Sequence, residues 1–246
     1  MLEYVHSGSG SPTYVLMNGA GVTLEGWRPL YPGIERLGTV FAWNRQGLGR
    51  SARPRSRQTG ALVVASLREL LAYAGLAPPY VLVGHSLGGL HANLFARLHP
   101  AEVAGVALIE ATHPDDCGRL REHEGRLAGV LARLLAVPAA WLRPNLHAEL
   151  ACALDTARQV EAAGPFPPVP LVVVSGGQTP PRWLMSPEAL ELKQARQRAL
   201  AALSPLGEQV IAQASGHFPQ RTQPELVLDV LRRLADSVTS ARGAAV

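Results

Sequence analysis

Ser86 has the setting in this chain that points most directly to chemistry. It lies in Gly84-His85-Ser86-Leu87-Gly88, a G-x-S-x-G pentapeptide with the apolar run Val81-Leu82-Val83 before it and a helix-like stretch over 87–98 after it. A strand that passes into a helix around one serine makes a very tight turn. The serine backbone is forced into an unfavourable conformation, and only small residues fit beside it, a requirement met by Gly84, Gly88 and Gly89. Such a turn presents the hydroxyl at the positive end of a helix, with the Leu87 amide placed to donate to a developing oxyanion.

The elements that must position this serine are legible around it. Apolar strand candidates fall at 14–17, 40–43, 81–83, 103–109, 171–174 and 209–213. Helical candidates alternate with them, at 61–73 with an apolar face of Leu62, Leu67, Leu70 and Leu71, and at 188–203. A last helix is expected from a capping box of Thr222 and Glu225, with Pro224 in its first turn. Short buried strands alternating with helices predict an α/β fold with a mostly parallel central sheet covered on both faces. From 114 to 168 the alternation stops, and helix-like segments at 119–135 and 146–163 have no strand between them.

Further motifs give the chain a specific resemblance. Met17-Asn18-Gly19-Ala20-Gly21 with Trp27, then Asn44-Arg45-Gln46-Gly47-Leu48-Gly49-Arg50-Ser51, then the Ser86 pentapeptide, and finally Ser215-Gly216-His217-Phe218 follow one another in the order found in the α/β-hydrolase superfamily. In its strand count, the first resembles the loop after strand three, whose backbone completes the oxyanion hole, so Ala20 would add a second amide to that of Leu87. The second resembles the D-R-x-G-x-G-x-S turn after strand four, and the last the segment that carries the catalytic histidine, here His217. Asn18 and Asn44 depart from the histidine and aspartate usual at their positions. The resemblance covers nearly the whole chain and implies a core over 1–113 and 169–246, with 114–168 inserted after strand six as a helical cap. Leu127, Val130, Leu131, Leu134, Leu135, Trp141 and Leu142 are candidates to line a pocket beneath that cap, or to bury themselves against the sheet.

The acid of a serine, acid and histidine triad is the open position. Many relatives carry it after strand seven, where this chain has Ser175-Gly176-Gly177-Gln178-Thr179 and no carboxylate. Glu110 ends the 103–109 run, one helix and one strand after Ser86, and is the leading candidate, with Asp115 and Asp116 as alternatives.

Composition fits one sizeable globular domain: 246 residues, 47% hydrophobic and 17% charged, with a net charge of +4. Arg45, Arg50, Arg53, Arg55 and Arg57 concentrate positive charge without interleaved aromatics or a nucleic-acid module, and read as a solvated loop rather than a nucleic-acid surface. No signal-peptide pattern or membrane-spanning run is present, so a cytoplasmic location is expected. Cys117 and Cys152 read as free thiols, the histidines have no metal-ligand spacing, and no cofactor or metal is expected.

The function expected is that of a carboxylesterase-like serine hydrolase acting on a small-molecule ester or other acyl substrate, with Ser86 as nucleophile, His217 as base and Glu110 as its orienting acid. The same scaffold also serves cofactor-free lyases, perhydrolases and acyltransferases, and ligand-binding relatives without catalysis.

Overall fold

The computed structural model describes residues 1–117, 144–179, 181 and 185–243. Seven strands form one sheet: β1 (Tyr4–Gly8), β2 (Thr13–Met17), β3 (Thr39–Trp43), β4 (Tyr80–His85), β5 (Val103–Ile109), β6 (Leu171–Gly176) and β7 (Gly207–Ala212). Their spatial order is β1-β3-β2-β4-β5-β6-β7, with β1 antiparallel to β3 and every other pair parallel. The family's strands three, four, six and seven are thus β2, β3, β5 and β6.

The inner strands β2 to β6 are largely apolar and buried because both of their faces are covered. Val15, Leu82, Val106, Leu108 and Val173 face one hydrophobic layer, while Leu16, Val81, Val83, Ala107 and Val174, their neighbours in sequence, face the other. The first layer is closed by α2 (Gly60–Tyr73), α3 (Leu87–Leu98), α5 (Ala153–Ala162) and α6 (Pro187–Ala201), and the second by α1 (Tyr31–Glu35) and α8 (Pro224–Gly243). Two further α-helices are short, α4 (Pro144–Ala151) and α7 (Pro219–Thr222).

Three expectations differ from the structure. Leu62, expected on the apolar face of its helix, is exposed, and Val63 and Val64 take the buried side of α2 beside Leu67, Leu70 and Leu71. The strand β1, Tyr4-Val5-His6-Ser7-Gly8, was not anticipated; it lies at the sheet edge with alternate residues exposed, so it lacks the apolar run that marks the inner strands. The capping box at Thr222 does not form. Thr222 ends α7, and its hydroxyl donates to the Phe218 carbonyl and to Ser215 Oγ, because the chain already turns into a helix at Pro219.

Of the segment 114–168, a helical turn at 114–117 and helices α4 and α5 are described. Ala153, Ala157 and Val160 of α5 belong to the same hydrophobic layer as α2 and α3, and Thr156 Oγ1 accepts the Gly60 amide at 2.9 Å. The candidate pocket residues Leu127, Val130, Leu131, Leu134, Leu135, Trp141 and Leu142 lie outside the described residues.

Strand order decides where a site can be. After β2 the chain crosses to β3 on one side, and after β4 it crosses to β5 on the other, so β2 and β4 flank a point where winding reverses. A crevice opens there at the carboxyl ends of the strands. The register aligns those ends, pairing Met17 with Gly84, His85 with Ile109, and Ile109 with Val174. The residues that follow, 18–21, Ser86, Glu110 and Ser175-Gly176, therefore meet along one edge.

Candidate active site

Ser86 stands between β4 and α3 at φ 52° and ψ −121°, a conformation that L residues rarely adopt. Strand, turn and helix are crowded enough to impose it. A Cβ on Gly84 would approach the Gly88 carbonyl oxygen to 2.6 Å, and one on Gly88 would strike the Met17 carbonyl. Ser86 itself is half-buried, although the residues on either side of it are buried. Among the described residues, neither the Leu87 amide nor the Ala20 amide has an acceptor within the chain. The loop 18–21 lies close by: a Cβ on Gly19 would be 3.3 Å from Ser86 Cβ.

Glu110, the first residue after β5, is among the described residues the other non-glycine residue with a left-handed backbone, at φ 45°. Its buried carboxylate receives three donors: the Gly176 amide on Oε1 at 2.7 Å, and on Oε2 His217 Nδ1 at 3.2 Å and Lys193 Nζ at 2.7 Å. Burial alone would raise its pKa, but the His217 hydrogen bond, the Lys193 charge and the Gly176 amide outweigh it and hold the carboxyl below its ordinary range. The structure thus brings Glu110 to His217, whereas Asp115 and Asp116 are engaged elsewhere. Asp115 lies 3.6 Å from His113 Nδ1, and Asp116 pairs with Arg196 and accepts the His113 amide at 3.1 Å.

His85 supports His217 from beneath. The two rings are 4.9 Å apart, Phe218 packs on both, and His85 Nε2 lies 2.8 Å from the His217 carbonyl oxygen. A carbonyl can only accept, so this nitrogen carries the proton. Burial above all, and then the His217 imidazole, pushes the His85 pKa down to about 3, so the ring stays neutral.

The two departures from the family pattern meet each other. Asn18 Nδ2 donates to the Trp43 carbonyl at 2.8 Å and lies 3.3 Å from Asn44 Oδ1, while Asn18 Oδ1 accepts Trp27 Nε1 at 2.6 Å. Asn44 Oδ1 also accepts the Leu24 amide at 2.7 Å. The two amides thereby pair with each other and satisfy the Trp43 carbonyl, the Trp27 indole and the Leu24 amide, with Asn44 Nδ2 donating to the Glu3 carboxylate at 2.7 Å.

Sequence reasoning missed three contributors. Lys193, the one lysine of the chain, reaches Glu110 from α6, and the vacant position after strand seven supplies a backbone donor, Gly176, instead of an acid. Arg45 was expected in a solvated loop. It is instead 2% exposed, beneath the loop 18–21, because Glu149 of α4 neutralises it there. Arg50, Arg53, Arg55 and Arg57 are exposed as expected, with Arg50 paired to Glu3 and Arg57 to Asp155. Both cysteines are buried, and burial pushes the Cys117 thiol up to about 12. Among the described residues, no three histidine, cysteine or acidic groups gather as metal ligands, and no helix is long and apolar enough to cross a membrane.

Comparison with known proteins agrees with this architecture. The profile of the alpha/beta hydrolase fold family matches residues 12–154, more than half of the chain, and the protein belongs to that family. It is 26% identical over 222 residues to YqjL of Bacillus subtilis (strain 168), across 89% of this chain and 82% of that protein. It is 30% identical over 127 residues to RutD of Variovorax paradoxus (strain S110), which carries the provisional name of a carbamate hydrolase; the match spans 50% of this chain and 47% of RutD. Among solved structures, a thermophilic esterase from Thermogutta terrifontis superposes with a TM-score of 0.72 at 21% identity, covering 96% of this chain and 93% of the other. The enol-lactonase from Burkholderia xenovorans LB400 gives a TM-score of 0.66 at 21% identity, with 95% of each chain covered.

Proposed function

We propose that this protein is a serine hydrolase that cleaves a carboxylic ester of a small or medium-sized molecule through an acyl-serine intermediate. Ser86 attacks the acyl carbonyl while His217 takes its proton, and Glu110 orients the imidazole and stabilises its cationic form. The amides of Leu87 and Ala20 hold the tetrahedral oxyanion, each contributing about 2.7 to 4 kcal/mol in the transition state. Collapse expels the alcohol, protonated by His217, and water activated by the same imidazole then frees the acid. Of the proposed cap segment 114–168, α4 borders the site, with Leu146 packed on Gly21 at the edge of the oxyanion loop, while α5 belongs to the core layer.

The observation that carries this reading is the 3.2 Å contact between His217 Nδ1 and the buried, anionic Glu110, at the strand edge where Ser86 emerges. The names of the relatives support the substrate class, since ester, lactone and carbamate cleavage all take place at an acyl carbonyl bonded to oxygen.

A fluorophosphonate probe with peptide mass spectrometry, combined with p-nitrophenyl esters of increasing acyl length, tests the proposal. Labelling at Ser86 and turnover favouring short to medium acyl groups are expected. Folded protein that neither labels at Ser86 nor turns over any ester would refute it.

A further inference from the structure

Arg45 and Glu149 form a buried ion pair to which the hydrolytic steps assign no role. Their side chains are 3% and 4% exposed, and Arg45 Nε meets Glu149 Oε1 at 2.5 Å. Such a pair is a poor device for stability, because removing two charges from water costs about as much as their attraction returns. What distinguishes this one is where its remaining hydrogen bonds go. Arg45 Nη1 donates to the Asn18 carbonyl at 2.6 Å and Nη2 to the Gly19 carbonyl at 2.8 Å. The second oxygen of Glu149, Oε2, accepts the Gly21 amide at 2.7 Å. Among the described residues, every side-chain hydrogen bond the pair makes beyond its own falls on the four residues 18–21.

Peptide geometry converts these contacts into a direction. In a trans peptide the carbonyl and the following N–H point opposite ways across a rigid plane. A guanidinium that holds the carbonyls of Asn18 and Gly19 therefore turns the amides of Gly19 and Ala20 away from itself. The Gly21 amide, tied to Glu149, fixes the far end of the same turn. Ala20 is left between two anchored peptides, and its own amide has no acceptor in the chain among the described residues. A planar fork can span two carbonyls and a carboxylate together, which a lysine ammonium cannot do with the same geometry.

We infer that Arg45 and Glu149 are positioning residues of the oxyanion hole: they clamp the loop 18–21 so that the Ala20 amide faces the acyl oxygen, and Glu149 makes this alignment depend on the docking of α4. The inference rests on the reading of Ser86 as an acyl-forming nucleophile. Neither side chain touches substrate. Their effect is on the transition state, because a misdirected amide is lost to the oxyanion but scarcely to the bound ester.

The test compares wild type with Arg45→Lys, which keeps the charge pair but not the fork, and with Glu149→Gln, which keeps an oxygen for Gly21 and leaves Arg45 on both carbonyls. For folded Arg45→Lys, kcat and the rate of Ser86 phosphonylation should both fall about tenfold or more, with KM changed less than about threefold. Glu149→Gln should show a smaller loss in the same two rates. A merely structural pair would lower the melting temperature and leave both rates of the folded protein intact. Rates within twofold of wild type in both folded variants overturn the clamp. A measurement on wild type alone decides the matter if the variants do not fold. The Ala20 amide proton should move downfield in the NMR spectrum when Ser86 is phosphonylated, and an unmoved resonance overturns the inference. Absence of any wild-type labelling at Ser86 would instead sink the hydrolase reading and the clamp with it.

Discussion

Replacing Glu110 by glutamine is the perturbation that most sharply tests the site. The substitution preserves shape and leaves an oxygen for the Gly176 amide, but it removes the negative charge 3.2 Å from His217 Nδ1. At that distance, and an effective dielectric of about 20, the attraction between carboxylate and imidazolium is about 5 kcal/mol. Two features reduce it. The His217 side chain is 49% exposed, so water screens the pair, and Lys193 Nζ already sits 2.7 Å from the same oxygen and offsets part of its charge. A loss of about 2 to 4 kcal/mol of transition-state stabilisation remains, which lowers kcat about 30-fold to 1000-fold. Because the charge acts on the imidazolium that forms during attack, KM should change little. The assay is steady-state hydrolysis of a p-nitrophenyl ester by variants whose near-ultraviolet circular dichroism matches wild type. Asp115→Asn and Asp116→Asn are the controls and should change kcat less than threefold, since neither carboxylate reaches His217. A folded Glu110→Gln enzyme within threefold of wild type, or a larger loss from either control, would refute the assignment.

Three further outcomes are expected. Ser86→Gly should end fluorophosphonate labelling and ester turnover while raising stability by about 1 kcal/mol in denaturant titration, because glycine adopts φ 52° without strain; an unstabilised or still active variant would contradict this. His217→Ala should lower kcat by at least about 100-fold in the same ester assay with its fold intact, since both proton transfers pass through one imidazole. The His85 pKa is about 3 in the folded protein against an ordinary 6.5, so the unfolded chain binds the extra proton between those values. The stability this contributes is complete above pH 6.5 and disappears as the pH falls towards 3. Thermal melts of wild type should therefore decline across that window, and more steeply than those of His85→Gln, which can still donate to the His217 carbonyl; equal slopes would refute the attribution.

How far the sequence carried this protein depended on the range of the interactions involved. The inner strands were legible because a strand covered on both faces reads as an unbroken apolar run, and β5 and α3 have the expected bounds. The edge strand β1 was not, since alternate residues face water and its sheet neighbour β3 comes only after β2 in the chain. The turn around Ser86 was also local. Gly84 is crowded by Gly88 and Gly89 a few positions on, so the pentapeptide marks the turn by itself, although Gly88 is also crowded by the Met17 carbonyl of the neighbouring strand.

Long-range pairing decided the rest. The sequence alone established the order of the motifs, the alternation of strands and helices, and Glu110, Asp115 and Asp116 as a short set of candidate acids. Tertiary structure separates them by contact: the register of β5 against β6 brings Gly176 to one oxygen of Glu110, and α6 brings Lys193 to the other, beside His217, while Asp115 and Asp116 meet His113 and Arg196. Arg45 shows the same division. In sequence it belongs with four exposed arginines, and its burial is settled by Glu149, 104 positions away. Periodicity and turn chemistry are fixed by neighbours along the chain, but the partner of a buried charge is fixed by which elements the folded sheet lays side by side, and no local pattern encodes that.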